Sequence, residues 1–228
     1  MSTVILALET ATEACSAALW HDGAVCQRWE LAPRRHAELL LPQCEAVLAE
    51  AGMARSAVDA VAFGRGPGAF TGLRIAAGVA QGLALGLQRP VVPVSSLAAL
   101  AAGAGRQHGA EHVLAALDAR MGEVYWGGYR HDGDGWSCLI EDTVCPPDAV
   151  TAPAGPTWLG VGSGWGAHGE ALRARLTGAG AVLGEVAPDH HPHAAAVAEL
   201  AVGILATGGG QTAAEAAPAY LRPWRPGS

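Results

Sequence analysis

Short apolar runs separated by polar and glycine-rich segments divide the first half of the chain into strands and helices. Apolar runs of about four to eight residues bounded by turn residues are typical of buried strands. Five strands are therefore expected here, at residues 4–8, 15–20, 25–31, 60–63 and 90–94. Helical spacing of apolar residues predicts helices at about 34–51, which Gly52 ends, at about 71–87, and from Ser95 or Ser96 to about Ala102.

The second half of the chain repeats the opening pattern, which predicts two lobes of related topology. At a constant offset of 109 residues, Glu9 aligns with Asp118 and Trp20 with Tyr129. Each of the two acids ends an apolar run, and an aromatic or apolar returning strand follows it. Further elements are expected as strands at 113–117 and 125–129 and as a helix at 194–206.

A glycine-rich segment at 103–109 is expected to be the hinge or linker between the two lobes. The N-terminal lobe would then cover residues 1–105 and the C-terminal lobe 106–228, with the C-terminal tail packing back on the first lobe. The segment at 159–164 echoes that at 62–66, which supports two related lobes. Strands alternate with helices throughout, so the expected fold class is α/β.

Composition and charge remove several classes of function. Half of the residues are hydrophobic and 15% are charged, which excludes a disordered chain. The net charge is −7 and the chain contains no lysine, so a Walker A phosphate loop and a pyridoxal phosphate Schiff base are both excluded. The acidic balance also argues against a basic nucleic-acid-binding face, so a partner is expected to hold any nucleic acid.

The cysteines and the N-terminus indicate a cytoplasmic protein. The five cysteines form no CxxC pair, which favours a reduced compartment. Glu9 and Glu13 lie where a signal peptide has its apolar region. We find no uncharged, proline-free apolar run of about 18 residues, so no membrane span is expected.

A glycine-rich loop at residues 64–72 joins a predicted strand to a predicted helix. Gly64, Gly66 and Ala69 match the spacing of a relaxed dinucleotide-binding fingerprint. That fingerprint requires an acid about 20 residues later, and no Asp or Glu occurs from residue 60 to residue 110. Two interpretations stay open, a tight strand-to-helix turn and an anion or nucleotide site of another kind at the helix N-terminus.

The second predicted helix carries Gly78, Gly82 and Gly86, which a spacing of four places on one face. Each glycine lowers helix stability by about 1 kcal/mol relative to alanine, so another contact should compensate. The compensating contact is a closely packed backbone, either the protein's own sheet or the helix of a partner.

Two acids at predicted strand ends are the best candidates for chemistry. Glu9 and Asp118 have the residue type and position for general-base work or for binding Mg²⁺, and their alternative role is to cap turns. No nucleophile elbow of the G-x-S-x-G type accompanies them.

Histidines offer weaker candidates. His108 and His112 match the inverted zincin pattern, which requires a helix, yet their segment follows glycines and runs into a strand. The segment 189–193 is expected to lead into the next helix rather than to bind a metal. His36, near the start of the first helix, is expected to be hydrogen-bonded at the surface or in an interface.

Three stretches and the C-terminal tail together resemble one protein family. The stretches are residues 5–15, 64–74 and 116–125, and the tail carries Tyr220, Leu221 and Arg222. In combination they resemble the TsaB (YeaZ) family of the bacterial machinery that makes threonylcarbamoyladenosine in tRNA. The resemblance implies a two-lobed fold of the actin, Hsp70 and sugar-kinase type, in agreement with the inferred repeat.

The resemblance also implies a role in a complex. Members of the family help attach a threonylcarbamoyl group to adenosine 37 of tRNAs that read codons starting with A. The subunit is thought not to catalyse: it pairs with the related catalytic subunit TsaD, the ATPase TsaE joins them, and tRNA is bound only through the complex. Pairing uses the two helices of the first lobe, here about 34–51 and 71–87, and a subunit alone forms a homodimer in the same way.

Two departures bear on cofactors. The catalytic relative has two metal-binding histidines four residues apart where this chain has Ser96 and Leu100, so no metal is expected. The actin-like phosphate hairpin has a glycine where this chain has Ala11, whose β-carbon narrows the approach of a phosphate. No tightly bound cofactor is therefore expected, and ATP or ADP only at a subunit interface.

The expected site residues form two sets. The resemblance implies partner contacts on the two helices, at His36, Leu39, Leu40, Gln43, Val47, Arg74, Gly78, Gln81 and Gly82. A vestigial nucleotide or phosphate site is expected at Glu9, Thr10, Thr12, Gly64 and Asp118.

Three alternatives remain open. One is an ATP-dependent phosphotransferase of the same fold that uses Glu9 and Asp118 with Mg²⁺. Another is a metallopeptidase that uses His108 and His112. The third is a homodimeric scaffold that takes no part in tRNA modification.

Overall fold

The strands and helices of the first lobe follow the order expected from the sequence. The computed structural model describes residues 3–133 and 135–222. The first lobe contains the strands β1 (Val4–Glu9), β2 (Ala14–His21), β3 (Ala24–Leu31), β4 (Ala60–Gly66) and β5 (Val91–Ser95). Its helices are α1 (His36–Glu50) and α2 (Phe70–Leu87), and α3 (Ser96–His108) follows β5 directly.

The second lobe is built in the same order with one helix fewer. Its strands are β6 (His112–Asp118), β7 (Val124–His131), β8 (Trp136–Cys145), β9 (Thr157–Val161) and β10 (Val182–Ala187). Helix α4 (Ser163–Gly178) joins β9 to β10, and α5 (Ala194–Ala206) follows β10. No sequence pattern predicted β8, α4 or β10. Where the first lobe has α1, the described residues of the second have only the 3-10 turn Pro147–Ala149.

The two five-stranded sheets have the same strand order, which confirms the predicted repeat. The order is β3-β2-β1-β4-β5 in the first sheet and β8-β7-β6-β9-β10 in the second. In each sheet two antiparallel pairings are followed by two parallel ones. Parallel neighbours need a crossover connection, which α2 and α4 supply.

The acids that end β1 and β6 occupy equivalent positions in the two sheets. Across their hairpins, however, they pair with Ser16 and Val124 respectively, so the connection in the second lobe is one residue shorter. The offset between the lobes is therefore 109 residues at the acids and 108 in the strand that follows. The predicted match of Trp20 with Tyr129 is wrong by one residue for this reason.

The helix that follows each sheet packs on the sheet of the other lobe. Helix α3 contacts β6 and β7, and its Leu100 shares a core with Leu117. Helix α5 contacts β1 and β2, and its Val197 shares a core with Ile5. The first lobe therefore includes α5, although α5 comes after the second sheet in the chain.

The linker expected at residues 103–109 is wrong, because α3 runs without interruption to His108. Its glycines serve close packing instead of flexibility. A β-carbon at Gly103 would lie 2.4 Å from the Nε2 of His193, and one at Gly105 would lie 2.2 Å from the indole of Trp136. The expected boundary between residues 105 and 106 thus falls inside a helix.

Helices α1 and α2 cover the face of the first sheet opposite α5. Among the described residues, α2 is the one helix long and apolar enough to cross a membrane by length and composition. Its Ala76 and Ala80 are buried in the core that α1 and the sheet share. The inner face of α2 is thus part of the core of the first lobe.

Candidate functional site

The carboxylate of Glu9 is buried at the end of β1 and hydrogen-bonded on both oxygens. Its Oε1 accepts from the backbone N–H of Ala11 at 2.7 Å, and its Oε2 accepts from the Oγ of Ser96 at 2.8 Å. Burial raises the pKa of Glu9 above its ordinary value, and these hydrogen bonds oppose the rise. Glu9 therefore links the β1–β2 turn to the first residue of α3.

The equivalent acid, Asp118, has a cation of its own. Its Oδ1 accepts from the backbone N–H of Arg120 at 2.9 Å, and the guanidinium of Arg120 lies 3.0 Å from Oδ2. Arg120 also lies 3.9 Å from Glu13 in the β1–β2 turn. Because Glu9 and Asp118 are both engaged by groups of this chain, Mg²⁺ would have to displace those partners to bind either.

The glycine-rich loop packs against the β1–β2 turn. A β-carbon at Gly64 would lie 1.9 Å from the Oε2 of Glu9, and one at Gly72 would lie 2.0 Å from the carbonyl oxygen of Thr10. The Oγ1 of Thr10 donates to the carbonyl oxygen of Gly72 at 2.8 Å. The glycines therefore let the chain's own backbone and the Glu9 side chain approach, which favours the tight-turn interpretation of the loop.

Thr12, in the same β1–β2 turn, contacts two histidines from other parts of the chain. Its carbonyl oxygen accepts from the Nε2 of His36 at 2.9 Å, and its hydroxyl lies 3.1 Å from the Nδ1 of His191. His36 is therefore a buried residue that holds the turn against α1. Its expected place among the partner contacts is wrong.

The expected partner contacts on α1 lie largely on its inner face. Leu40 and Val47 are 0% exposed in the core, and Gln43 is buried with its amide on the backbone of Cys15 at 3.4 Å. These three residues cannot contact a partner without unpacking the lobe, so that part of the prediction is wrong. Leu39 is half-buried. The outer face of α1 consists of Ala37, Glu38, Leu41, Pro42, Glu45 and Ala49.

The glycine stripe of α2 faces away from the first sheet. Gly78, Gly82 and Gly86 are exposed, and a β-carbon at any of them would have no atom of another described element within 4 Å. The protein's own sheet therefore does not provide the close packing expected of this stripe. Leu85, on the same side of the helix, is 74% exposed.

The two remaining expected contacts on α2 lie under the C-terminal tail. The guanidinium of Arg74 lies 3.8 Å from the centre of the Phe70 ring, and its Nε donates to the Oη of Tyr220 at 3.0 Å. The Nε2 of Gln81 donates to the carbonyl oxygen of Ala216 at 2.5 Å. The tail thus borders the exposed stripe.

Sequence reasoning did not place Leu41, Leu85, Phe70 or Tyr220 on this surface, although all four are large exposed apolar residues on or beside α1 and α2. The helical phase offered a signal for Leu85, which follows Gly78 by seven residues and Gly82 by three. Tyr220 belongs to the tail motif of the resemblance, but no local pattern placed it beside Phe70, because its position depends on how the tail folds back.

The histidines of the zincin pattern do not share a helix. His108 is the last residue of α3 and His112 the first of β6, with Gly109 in a left-handed conformation between them. His108 instead faces His190, with 2.9 Å between their Nε2 atoms, and its Nδ1 lies 3.1 Å from Glu185. Within residues 3–133 and 135–222, no group of three or more His, Cys, Asp or Glu side chains is arranged to hold a metal.

Comparisons of sequence place the chain among proteins of tRNA modification. Residues 29–160 match the family described as TsaD, tRNA N6-adenosine threonylcarbamoyltransferase. The chain is 41% identical to the tRNA threonylcarbamoyladenosine biosynthesis protein TsaB of Haemophilus influenzae, over 96% of this chain and 93% of that protein. It is 48% identical to the TsaB protein of Escherichia coli, over 71% of each chain.

Comparisons of structure agree. The protein described as YeaZ from Pseudomonas aeruginosa is 49% identical and superposes with a TM-score of 0.87, over 96% of this chain and all of that chain. A second structure, described as an uncharacterized protein with similarity to peptidase YeaZ from the same organism, has a TM-score of 0.89 at 48% identity, with the same coverage. The matching family has the actin-like fold, which confirms the predicted two-lobed α/β class.

Proposed function

The chain belongs to the TsaB family, and from this premise we propose that it is a non-catalytic subunit of tRNA threonylcarbamoyladenosine biosynthesis that binds the catalytic subunit TsaD. The relatives from Escherichia coli and Haemophilus influenzae carry the name of this pathway, which confirms the resemblance inferred from the three motifs. Beyond family membership, we propose that the partner is TsaD, that one particular surface of the chain binds it, and that the chain does not itself catalyse the reaction.

The single observation that carries the proposal is the uncovered glycine stripe of α2. Three glycines in one helix lower its stability by about 1 kcal/mol each relative to alanine, and none of the described residues packs close enough to compensate. A helix of another chain can approach such a face closely, since no β-carbon holds it away. The stripe therefore supports docking of a partner helix on α2.

Exposed apolar residues beside the stripe extend this docking surface. Leu85 adjoins the glycines on α2, Leu41 lies on the outer face of the neighbouring α1, and Phe70 and Tyr220 lie together at the start of α2. Large apolar residues exposed on adjacent helices mark interaction surfaces more often than free ones. An interface of standard size, about 1,600 Å² in total, would cover both helices.

The same surface accounts for the proposed self-association. Two copies of the chain could pair through it in an isologous contact, because each copy presents the same face. We propose that this homodimer forms when TsaD is absent and that TsaD competes for the surface.

Three features support a subunit without catalysis of its own. The buried carboxylate of Glu9 is held by Ser96 and Ala11, and that of Asp118 by Arg120. Ser96 and Leu100, at the positions where the resemblance implied metal-binding histidines in the catalytic relative, are buried and serve packing and hydrogen bonding. We therefore propose that the isolated chain binds no metal or nucleotide tightly, and that ATP or ADP binds only at an interface.

Charge supports an indirect contact with tRNA. The net charge of −7 and the absence of lysine disfavour phosphate binding by this chain, so the rest of the complex would hold the tRNA. The ATPase TsaE is the further component proposed to join the pair. Since the substrate of the complex would be tRNA, we propose that this chain is located in the cytoplasm.

An omission experiment tests the proposal. Threonylcarbamoyladenosine formation is reconstituted from TsaD, TsaE, a source of the threonylcarbamoyl adenylate and tRNA, with and without this chain, and the modified nucleoside is quantified by mass spectrometry. We expect product only when the chain is present. Equal product without it would overturn the subunit role.

A further inference from the structure

A cavity of about 890 Å³ lies between the two lobes, on the side opposite α1 and α2. Helix α3 forms its floor, α5 and the end of β5 form one wall, and β7 and β8 form the other. Small-molecule sites have volumes of about 300–1,000 Å³, so the cavity has the size of such a site. Neither Glu9 nor Asp118 lines it, so it is separate from the strand-end acids.

One part of the cavity is apolar because α3 presents small side chains to it. Ala98 and Ala102 leave room above the helix, and Leu200 and Ile204 of α5 face that room. The indole of Trp136 lies directly over Gly105 and also lines the cavity. These residues offer an apolar and aromatic surface to a ligand.

The polar part of the cavity is centred on Asp142 of β8. Its Oδ2 accepts from the Oγ of Ser95 at 2.6 Å, and its Oδ1 accepts from the hydroxyl of Tyr129. Burial raises the pKa of Asp142 above its ordinary value, while the charge of Arg65 acts in the opposite direction. Each carboxylate oxygen has capacity for one more hydrogen bond.

Negative charge is in excess around the cavity. Four carboxylates line it, those of Glu111, Glu141, Asp142 and Glu199, against the two guanidinium groups of Arg65 and Arg106. Arg106 forms an ion pair with Glu199. Among residues 3–133 and 135–222, no cation lies within the 4.0 Å of an ion pair from the other three carboxylates. A cleft lined by this excess of negative charge favours a positively charged ligand.

We propose that the interlobe cavity binds an organic cation, an amine with an apolar body. The ammonium group would donate to the carboxylates of Asp142 and Glu141, and the body would lie against Ala98, Ile204 and Trp136. The aromatic face of Trp136 adds attraction for a cation close to it. A neutral molecule of the same shape would gain only the apolar contacts, and an anion would be repelled.

Three probes with one body and different charges test the proposal. The full-length chain is titrated by isothermal calorimetry with phenethylamine, 2-phenylethanol and phenylacetate. A charge-assisted hydrogen bond supports a preference of about tenfold or more for the amine over the alcohol. We expect that preference, and no measurable binding of phenylacetate.

Variants locate the site. Asp142→Asn should weaken phenethylamine about tenfold or more, and Ala98→Leu should remove binding by filling the cavity. Asp148→Asn, on an exposed turn outside the cavity, is the matched control and should leave binding unchanged. If Asp142→Asn loses the fold by circular dichroism, the exposed Glu141→Gln replaces it and should weaken the amine by a factor of about three or more.

Several results would overturn the proposal. Equal affinity for the amine and the alcohol would mean that the ligand's charge plays no part in binding. Tighter binding of phenylacetate would mean that the site binds anions through the guanidinium of Arg65. The absence of binding by every probe at millimolar concentration would leave the cavity without a ligand of this class. None of these results bears on TsaD binding, because α1 and α2 cover the other face of the first sheet.

Discussion

The Oγ of Ser96 donates a 2.8 Å hydrogen bond to the Oε2 of Glu9, 87 residues away in the chain. The bond joins the first residue of α3 to the last residue of β1, and α3 packs on the second lobe. A carboxylate whose residue type and strand-end position suited Mg²⁺ binding therefore acts here as a link between the β1–β2 turn and the helix that bridges the lobes.

Replacing Glu9 by glutamine should change how stability depends on pH. Burial raises the pKa of Glu9 in the folded state, so folding favours the protonated carboxyl group. This contribution to the free energy of unfolding is fully present below the ordinary pKa of 4.5 and is lost as the pH rises through the pKa of the folded state. Glutamine does not ionise, so the urea midpoint of Glu9→Gln relative to the unmodified chain should rise as the pH is raised above the ordinary value of 4.5. The exposed Glu170→Gln should show no such trend, and a constant difference for Glu9→Gln would contradict the expectation.

Gly82→Leu should weaken association with TsaD, and self-association, while the fold is kept. The new side chain would project from the exposed face of α2, where no other element within residues 3–133 and 135–222 has an atom within 4 Å of its β-carbon. Size-exclusion chromatography with light scattering measures the mass of each complex. Gly178→Leu, at the exposed end of α4 in the second lobe, is the control and should associate normally. Unchanged association of Gly82→Leu would place the interface elsewhere.

Leu40 and Leu41 are adjacent in α1 and should respond in opposite ways. Leu40 is fully buried, so Leu40→Ala should lower the free energy of unfolding by about 2–5 kcal/mol. Leu41 is exposed on the outer face, so Leu41→Glu should leave stability within about 0.5 kcal/mol and weaken binding of TsaD. Chemical denaturation and calorimetric titration separate the two effects. A Leu41→Glu chain that binds TsaD normally would exclude α1 from the interface.

Two glycine-to-alanine changes distinguish packed glycines from exposed ones. Gly105→Ala would place a β-carbon 2.2 Å from the Trp136 indole, and overpacking of this kind lowers stability by about 1–3 kcal/mol. Gly78→Ala would meet open space in a helix and should raise the stability of the uncomplexed chain by up to about 1 kcal/mol. Urea denaturation at low protein concentration measures both. Unchanged stability of Gly105→Ala would show that the Trp136 indole does not pack closely on this glycine.

The α/β class and the repeat were predictable because they depend on local pattern. The apolar runs that become β1 and β6 end in Glu9 and Asp118, and both acids lie where the alignment placed them. Helices α1 and α2 begin and end within two residues of expectation. The elements that were missed lack such a pattern: α4 contains four glycines, and no residue of β10 is fully buried.

The helical phase of α1 was ambiguous in the sequence. Leu39, Leu40 and Leu41 are consecutive, so apolar character alone does not select the inward residue. The sheet beneath the helix selects Leu40 and leaves Leu41 exposed. Four of the expected partner contacts, His36, Leu40, Gln43 and Val47, were misplaced on the buried side for this reason.

The sequence by itself determined the strand and helix order, the repeat and the family, because each depends on residues close together in the chain or on motifs read directly. Tertiary structure decided which face of each helix is buried, that α3 and α5 pack on each other's sheets, and that Trp136 and Asp142 meet Ser95 and α5 around one cavity. These contacts join residues that are far apart in the chain. They depend on how whole helices and strands pack against one another, and no local sequence pattern encodes that packing.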